Sequence, residues 1–158
     1  MADLSLHETG QGGDANILPN NDLELTNGLF NMVYLGLFGG NPAHITSENF
    51  LEGEQRFDWW GNSLFFNNQP DQQFNSYTEN LLNTIALDSQ ARQKIIEFIK
   101  KDLDFLLKLA TIEVDVVLTN NDTIEMVINV QELSKKENVE FQFIWDSTKS
   151  ELIENRII

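Results

Sequence analysis

Side chains that could catalyse a reaction or hold a metal ion are few in this chain. The two histidines, His7 and His44, lie far apart, and neither has a carboxylate at the spacing that metal sites use. The absence of cysteine excludes a disulfide framework, a zinc ribbon and a thiol nucleophile. The sequence also lacks a glycine-rich phosphate loop and a Gly-x-Ser-x-Gly elbow. We therefore expect no metal, no cofactor and no catalytic residue, and predict that the protein is not an enzyme.

Paired carboxylates are the remaining route to chemistry. Asp58 lies near Glu52 and Glu54, and two such acids could in principle cleave a glycosidic bond. Nothing in the sequence places a pair in the contrasting environments that separate an acid from a base. We interpret these residues as solvated acids and keep a cell-wall hydrolase as a lesser alternative.

The charge of the chain restricts its partners. It carries 25 acidic and 10 basic residues, a net charge of −15, and residues 1–75 contain a single base, Arg56. Nucleic acids and anionic lipids bind mainly through Lys and Arg, so we expect neither nucleic acid nor membrane as a partner. No apolar run approaches the roughly 18 residues of a membrane span, and Met1 to Gly13 does not resemble a signal peptide.

The domain organisation follows from length and local composition. A chain of 158 residues with 41% apolar residues is the size of one ordinary domain. Residues 1–20 are rich in Gly, Asn and Asp, which predicts a flexible N-terminal tail. We predict a single domain over residues 21–147 and a C-terminal extension over 148–158.

Two helices and three strands are predicted in the second half. A short helix is expected over Ser76 to Ile85, and a long one from an N-cap at Asp88 or Ser89 to about Ala110. Strict alternation then predicts three strands, each with one apolar face. The three faces are Ile112, Val114, Val116 and Leu118; Ile124, Met126, Ile128 and Val130; and Val139, Phe141, Phe143 and Trp145.

This order of elements predicts an α+β fold with helices packed on one face of a small antiparallel three- or four-stranded sheet. If the first two apolar faces share one side of the sheet, even positions must pair with even positions. The loop around Asn120 to Asp122 should then hold an odd number of residues, three or five.

Two aromatic motifs are candidate contacts for a partner. In the first, Asp58, Trp59, Trp60, Gly61 and Asn62, two adjacent tryptophans cannot both face one core in regular structure, so one plugs a separate pocket or contacts a partner. The second runs from Phe141 to Asp146 and includes Phe143 and Trp145. It reads as a strand with an aromatic core face, and its use as a contact depends on whether that strand lies at an exposed edge.

The order of these motifs resembles a known family. An Asn-Gly turn, an apolar run ending at Leu37-Phe38, the Trp-Trp-Gly-Asn loop, a helix closing with residues 106–110 and a final Phe-x-Phe-x-Trp-Asp strand look like the Mu-type phage baseplate proteins. That family is similar to the small baseplate wedge proteins of other contractile tails. The resemblance covers roughly residues 22–147 and favours a helix over Leu29 to Phe38.

The resemblance implies a structural protein of a contractile phage tail or a related injection device. It would lie in the inner wedge of the baseplate, in the virion, after assembly in the host cytoplasm, and would form the platform for the first tail-sheath ring. The implied partners are other wedge subunits, the sheath protein, whose arms would add strands to the sheet, and the tail tube or hub. The alternative left open by the charge is an acidic DNA mimic that occupies a host nuclease or regulator.

Overall fold

A computed structural model describes residues 2–8, 13–40, 60–69, 72–119, 122–134 and 138–158. The chain forms two compact units, Met1–Ser76 and Tyr77–Ile158. The domain predicted over residues 21–147 therefore includes parts of both units. The first unit contains β1 (Ala2–Leu4), β2 (Leu6–Glu8), β3 (Gly13–Ala15), β4 (Leu25–Asn27), α1 (Gly28–Phe38) and α2 (Trp60–Phe66).

Residues predicted to form a flexible tail are instead built into short strands. β1 pairs with β4 and β2 with β3, both antiparallel. Between the two pairs, the Ser5 amide donates to the Glu24 carbonyl at 2.8 Å, and the Asn16 amide donates to the Ser5 carbonyl at 2.9 Å. The pairing uses main-chain groups, which every residue except proline carries in full, so a polar composition did not reveal it.

The helix favoured over Leu29 to Phe38 is confirmed as α1. Nearly all of its side chains are buried, including the polar Asn31, whose Nδ2 donates to the Leu4 carbonyl at 2.5 Å. Three aromatic rings follow one side of the helix at intervals of four residues. The ring centroids of Phe30 and Tyr34 lie 6.2 Å apart, and those of Tyr34 and Phe38 lie 5.8 Å apart. A helix that is apolar on all sides is expected to be buried on all sides.

The second unit has the predicted α+β fold with a four-stranded antiparallel sheet in the order β5-β6-β7-β8. Its elements are α3 (Tyr77–Thr84), α4 (Ala91–Asp102), a 3-10 helix (Asp104–Lys108), β5 (Ala110–Thr119), β6 (Thr123–Glu132), β7 (Asn138–Asp146) and β8 (Glu151–Ile157). The N-cap of α4 is Gln90 rather than the predicted Asp88 or Ser89. The Oδ1 atom of Asp88 nevertheless accepts from the amides of Gln90 at 2.8 Å and Ala91 at 3.0 Å, next to the start of the helix.

The prediction of one long helix to about Ala110 was wrong. The α-helix ends at Asp102, and the chain tightens into the 3-10 helix, where the Leu106 amide donates to the Leu103 carbonyl at 2.9 Å. Leu103 and Leu106 remain buried, as the i, i+3 alignment of a 3-10 helix allows. Leu107 and Leu109, in contrast, are exposed.

The predicted register of the first two strands is confirmed. Thr119 pairs with Thr123, which encloses a loop of three residues, and Val116 pairs with Met126. Even positions of β5 therefore oppose even positions of β6, and their apolar side chains share one face of the sheet. The fully buried side chains of the sheet are Val116, Ile124, Met126, Ile128, Val130, Phe141 and Phe143.

Residues predicted as a C-terminal extension supply the fourth strand of the sheet. β8 pairs antiparallel with β7, with a register shift, a β-bulge, between Ile144 and Trp145. The Ile158 amide donates to the Glu140 carbonyl at 2.9 Å. Because successive residues of a strand direct their backbone groups to alternate sides, the amide of Arg156 faces β7 and the amide of Asn155 faces away from it.

This alternation predicts unequal losses of stability when proline replaces two adjacent residues. Arg156→Pro removes an amide that bonds β7 and should lower the free energy of unfolding by about 3 kcal/mol. Asn155→Pro removes an amide on the outer side and should cost less than about half as much. Urea denaturation monitored by tryptophan fluorescence measures both changes, and equal losses would contradict the register.

Candidate protein interface

The first predicted contact motif lies only partly within the described residues. Asp58 and Trp59 fall outside them, and Trp60 is the first residue of α2. Gly61 and Asn62 follow it and are buried in the first unit. The assignment of Asp58, Trp59 and Trp60 to a partner contact therefore stays a prediction.

Asn62 has a structural role that its side-chain geometry defines. Its Nδ2 donates to the Phe74 carbonyl at 3.0 Å, and its Oδ1 accepts from the Phe74 amide at 2.9 Å. The side chain has no exposed surface. Gln73 adds a second connection, since its Nε2 donates to the Phe66 carbonyl at 3.0 Å. Asn62 thus pairs with a backbone segment as a strand would, and its amide is fully used within the chain.

The same segment is held at the end of α1. The Ser76 amide donates to the Gly40 carbonyl at 2.7 Å, and the Ser76 hydroxyl donates to the Leu37 carbonyl. At Gly39 a Cβ atom would lie 2.3 Å from the Leu35 carbonyl oxygen and 3.1 Å from the Cβ of Phe74. A side chain at Gly39 would therefore displace the backbone. Phe74 is therefore held by Asn62 of α2, and Ser76 is held by the end of α1.

The second predicted contact motif lies in the core of the sheet. Phe141 and Phe143 have no exposed surface, and Trp145 is 3% exposed. β7 lies between β6 and β8, so it is not an edge strand. The assignment of these three side chains as partner contacts needs correction, because a partner could not reach them without opening the sheet. The sequence predicted their common face but could not show that a fourth strand covers β7.

Asp146, the last residue of that motif, shapes the turn into β8. Its Oδ1 accepts from the amides of Thr148 at 2.9 Å and Lys149 at 3.1 Å, and from the Thr148 hydroxyl at 2.5 Å. The hydrogen bond from the Thr148 hydroxyl is the main cause that lowers the pKa of this carboxyl below its usual value. The two amides and the Lys149 ammonium lower it further. A side chain that organises a turn in this way forms an Asx turn, and the assignment of Asp146 to a partner contact stays a prediction.

One edge of the sheet is closed by an ion pair that sequence reasoning missed. Arg92 on α4 donates from Nε to the Val116 carbonyl at 2.7 Å and from Nη2 to Asp115 Oδ1 at 2.6 Å. The same oxygen of Asp115 accepts from the Val116 amide at 3.0 Å. Both outward backbone groups of Val116 are therefore occupied. Hydrogen bonding from Arg92 is the main reason that the pKa of Asp115 is lowered.

The other edge, formed by β8, is open among the strands that the structure describes. Its apolar side chains Ile153, Ile157 and Ile158 are exposed by 51%, 45% and 54%. By the alternation set at Ile158, the backbone groups of residues 155 and 157 point away from β7, and Ile153 is the extra residue of the bulge, between the paired residues Leu152 and Glu154. An exposed strand with regular donors and apolar side chains is a template for a further strand.

A polar row crosses the outer face of the sheet and ends at this open edge. Gln142, which is buried, donates from Nε2 to Glu125 and accepts at Oε1 from Arg156 Nε at 2.5 Å. Arg156 Nη1 also lies 2.9 Å from Glu154 Oε1. The guanidinium of Arg156 is thereby held in place beside the edge. It carries a fixed positive charge next to the negative charge of Glu154.

A buried acid connects the two helices of the second unit. Asp102, at the end of α4, accepts at Oδ1 from the Tyr77 amide at 3.0 Å and at Oδ2 from the Thr78 amide at 2.6 Å. It thus satisfies the first amides of α3, as an N-cap does. Burial raises the pKa of Asp102 to about 6. Hydrogen bonds from Thr78 and Tyr77 and the charge of Lys101 act in the opposite direction and lower it, but burial outweighs them. The Lys101 ammonium lies 3.7 Å from the Tyr77 ring centroid.

The predictions of no metal site and no membrane span can be compared with the structure only over the residues that it describes. His44 lies outside the described residues, and His7 lies in β2. Within the described ranges, no group of three or more His, Cys, Asp or Glu side chains could hold a metal ion. In the same ranges, no helix combines the length and the apolar character that crossing a membrane requires.

Comparisons with known proteins gave no match to a protein-family model, to a curated protein or to a solved structure.

The Asn62 geometry predicts a loss of stability on substitution. Asn62→Ala leaves the amide and the carbonyl of Phe74 without their partner and should lower the free energy of unfolding by about 2 kcal/mol. Asn68→Ala, at an exposed position just after α2, is the control and should change it by less than about 0.5 kcal/mol. Thermal or urea unfolding measures both, and equal effects would contradict the assigned role.

Asp102 predicts a specific pH dependence. Its pKa is about 6 in the folded chain against a reference of 3.8, so the folded state binds the proton more tightly. Its contribution to stability is present below about pH 4 and is lost as the pH rises through 6. Between pH 4 and 7 the stability advantage of the native chain over Asp102→Asn should fall by about 2 kcal/mol. Parallel pH profiles of the two proteins in urea denaturation would contradict this.

Proposed function

We propose that this protein is a non-enzymatic structural component of the baseplate of a contractile phage tail or a related injection device. It joins neighbouring subunits in the inner wedge and forms the platform for the first tail-sheath ring by strand addition. The observation that carries the proposal is the open β8 edge of the four-stranded sheet. The resemblance of the two aromatic motifs to the Mu-type baseplate family supports it independently.

Strand addition suits this edge for a physical reason. The outward amides and carbonyls of β8 repeat every second residue and can bond the main chain of any extended segment. Such recognition takes its affinity from the backbone and its specificity from the flanking side chains. At the β5 edge, Arg92 and Asp115 already occupy the groups of Val116. Among the strands that the structure describes, the sheet therefore has one unpaired edge, β8, and one edge, β5, that is partly closed.

The charge of the chain favours basic neighbours. Glu151 and Glu154 lie exposed on the strand that forms the free edge, and the whole chain carries a net charge of −15. Lys or Arg residues flanking an incoming segment would be attracted to this edge and would steer the encounter. The same charge underlies the alternative function, an acidic DNA mimic that binds a basic host nuclease or regulator.

Co-purification tests the proposed function. We expect an affinity-tagged full-length chain, co-expressed with the sheath, tube and wedge proteins of the same genome, to recover wedge and sheath subunits identified by mass spectrometry. Asn155→Pro removes an outward amide of β8 and should reduce sheath recovery at least tenfold. Glu113→Ala, an exposed change on β5, serves as the control.

Two results would contradict the proposal. Recovery of no baseplate or sheath subunit by the native chain would remove it. Salt-sensitive binding to a DNA-binding host enzyme, with inhibition of that enzyme and no binding to tail proteins, would favour the DNA mimic instead.

A further inference from the structure

We propose that an apolar face of the first unit binds a basic amphipathic helix of another protein, a helix with apolar side chains on one side and Lys or Arg beside them. The face consists of Leu4, Ile17, Leu23 and Leu25. This inference does not depend on the proposed function, because it concerns a different surface and requires no strand addition.

The four side chains lie on one side of a two-stranded ribbon. Leu4 pairs with Leu25 across β1 and β4, and Ile17 pairs with Leu23 in an isolated antiparallel bridge. Directly paired residues of antiparallel strands direct their side chains to the same side, and so do residues two apart on one strand, such as Leu23 and Leu25. The ribbon therefore has one continuous apolar face.

This apolar face is turned to the solvent. Its four side chains are between 37% and 68% exposed. Ser5, which follows Leu4, is buried instead, and its Oγ accepts from Asn16 Nδ2 at 2.9 Å. An antiparallel ribbon that packs on one side ordinarily buries its apolar face and exposes its polar one. Contiguous exposed apolar side chains mark interaction sites, whereas scattered single ones are common on any protein surface.

Two carboxylates are held at the borders of the apolar face. Asp3 Oδ1 accepts from the Leu4 amide, and Asp22 Oδ1 accepts from the Leu23 amide, both at 2.9 Å. Both aspartates are exposed. A carboxylate has two oxygens and can accept several hydrogen bonds, so each can also bind an ammonium or guanidinium group. Because these side chains are already oriented, less entropy is lost when they meet a cation.

The local charge selects the kind of partner. Residues 1–55 contain no Lys or Arg, so the charged side chains in this part of the chain are acidic. Two copies that met through this face would oppose carboxylates with carboxylates, and anionic lipids or nucleic acids would be repelled. A partner with Lys or Arg beside its apolar side chains has the complementary charge.

The dimensions of the face fit an α-helix. Directly paired residues of the ribbon lie about 5 Å apart at Cα, and residues two apart on one strand lie about 7 Å apart. Side chains three and four positions apart on a helix are separated by about 5–6 Å. The apolar stripe of about two helical turns can therefore contact all four side chains. Such a contact is smaller than a standard interface, so we expect a dissociation constant on the order of 10 µM.

Synthetic peptides test the specificity of the face. The probe is a fluorescently labelled peptide of about 14 residues, with leucines at helical spacing on one side and lysines elsewhere. Fluorescence anisotropy with the full-length chain at physiological salt should show binding on the order of 10 µM. A scrambled peptide of the same composition, and a peptide with Glu in place of every Lys, should each bind at least tenfold more weakly. Equal binding of the scrambled peptide would overturn the inference.

Paired leucine substitutions locate the binding site. Leu23→Asn with Leu25→Asn removes two leucines of the apolar face and should weaken binding of the probe at least tenfold. Leu107→Asn with Leu109→Asn removes two similarly exposed leucines of the second unit and should change binding less than twofold. Circular dichroism checks that both double variants are folded. Equal affinities of these variants for the probe would contradict the assigned site.

Paired acid substitutions separate the bordering carboxylates from net charge. Asp3→Asn with Asp22→Asn keeps an oxygen for the amides of Leu4 and Leu23 but removes two charges, and should weaken binding about fivefold. Glu113→Gln with Glu140→Gln removes the same charge from the second unit and should change binding less than twofold. Equal losses would show that net charge alone attracts the probe, and would overturn the inference.

Sedimentation velocity distinguishes the helix from a second copy of the chain. Because the face is acidic, the native chain should stay monomeric at about 100 µM and physiological salt. A dimer that Leu23→Asn with Leu25→Asn abolishes would overturn the inference, since another copy would then be the occupant of the face.

Discussion

An antiparallel sheet cannot end without leaving a row of backbone donors and acceptors at each border, and this constraint governs the second unit. The two borders meet it differently. On β5, Arg92 from α4 and Asp115 from the strand itself bind both outward groups of Val116. On β8, residues 155 and 157 direct theirs away from the sheet. The two borders of the described sheet therefore differ, and a single helix residue accounts for much of that asymmetry.

Buried and half-buried polar side chains in both units hydrogen-bond to the backbone. Asn62 bonds the backbone of Phe74 as a neighbouring strand would, and Asp102 bonds the first amides of α3 as an N-cap would. Asp146 organises the turn into β8. In each case one side chain satisfies amides that a short element leaves over. This use of acids and amides is consistent with a protein that presents main chain to its neighbours.

Periodicity predicted the sheet well because it reports which face of a strand is buried. The even-to-even pairing of Val116 with Met126 and the three-residue loop followed from side-chain parity alone. Periodicity could not locate the fourth strand, because residues 151–157 alternate little and remain largely exposed. It also overextended α4, since i, i+3 apolar spacing serves a 3-10 helix as well as an α-helix.

The candidate interface was less predictable than the fold. The aromatic residues Phe141, Phe143 and Trp145 attract attention by type, yet their size is what makes them core residues. Arg92 and Asp115 are ordinary in the sequence and acquire their role only when α4 is placed against β5. An edge and its closure are properties of strand order and neighbouring elements, which no local motif contains.

The bulge between Ile144 and Trp145 has a consequence for length. A bulge interrupts the ladder and increases local twist, so the straight part of the outer border is confined to the last few residues of the chain. A segment laid along it can stay in step for about five residues before its path diverges. The outer border can therefore pair with a short extended peptide. It disfavours the long, flat stacking of identical chains that leads to fibres.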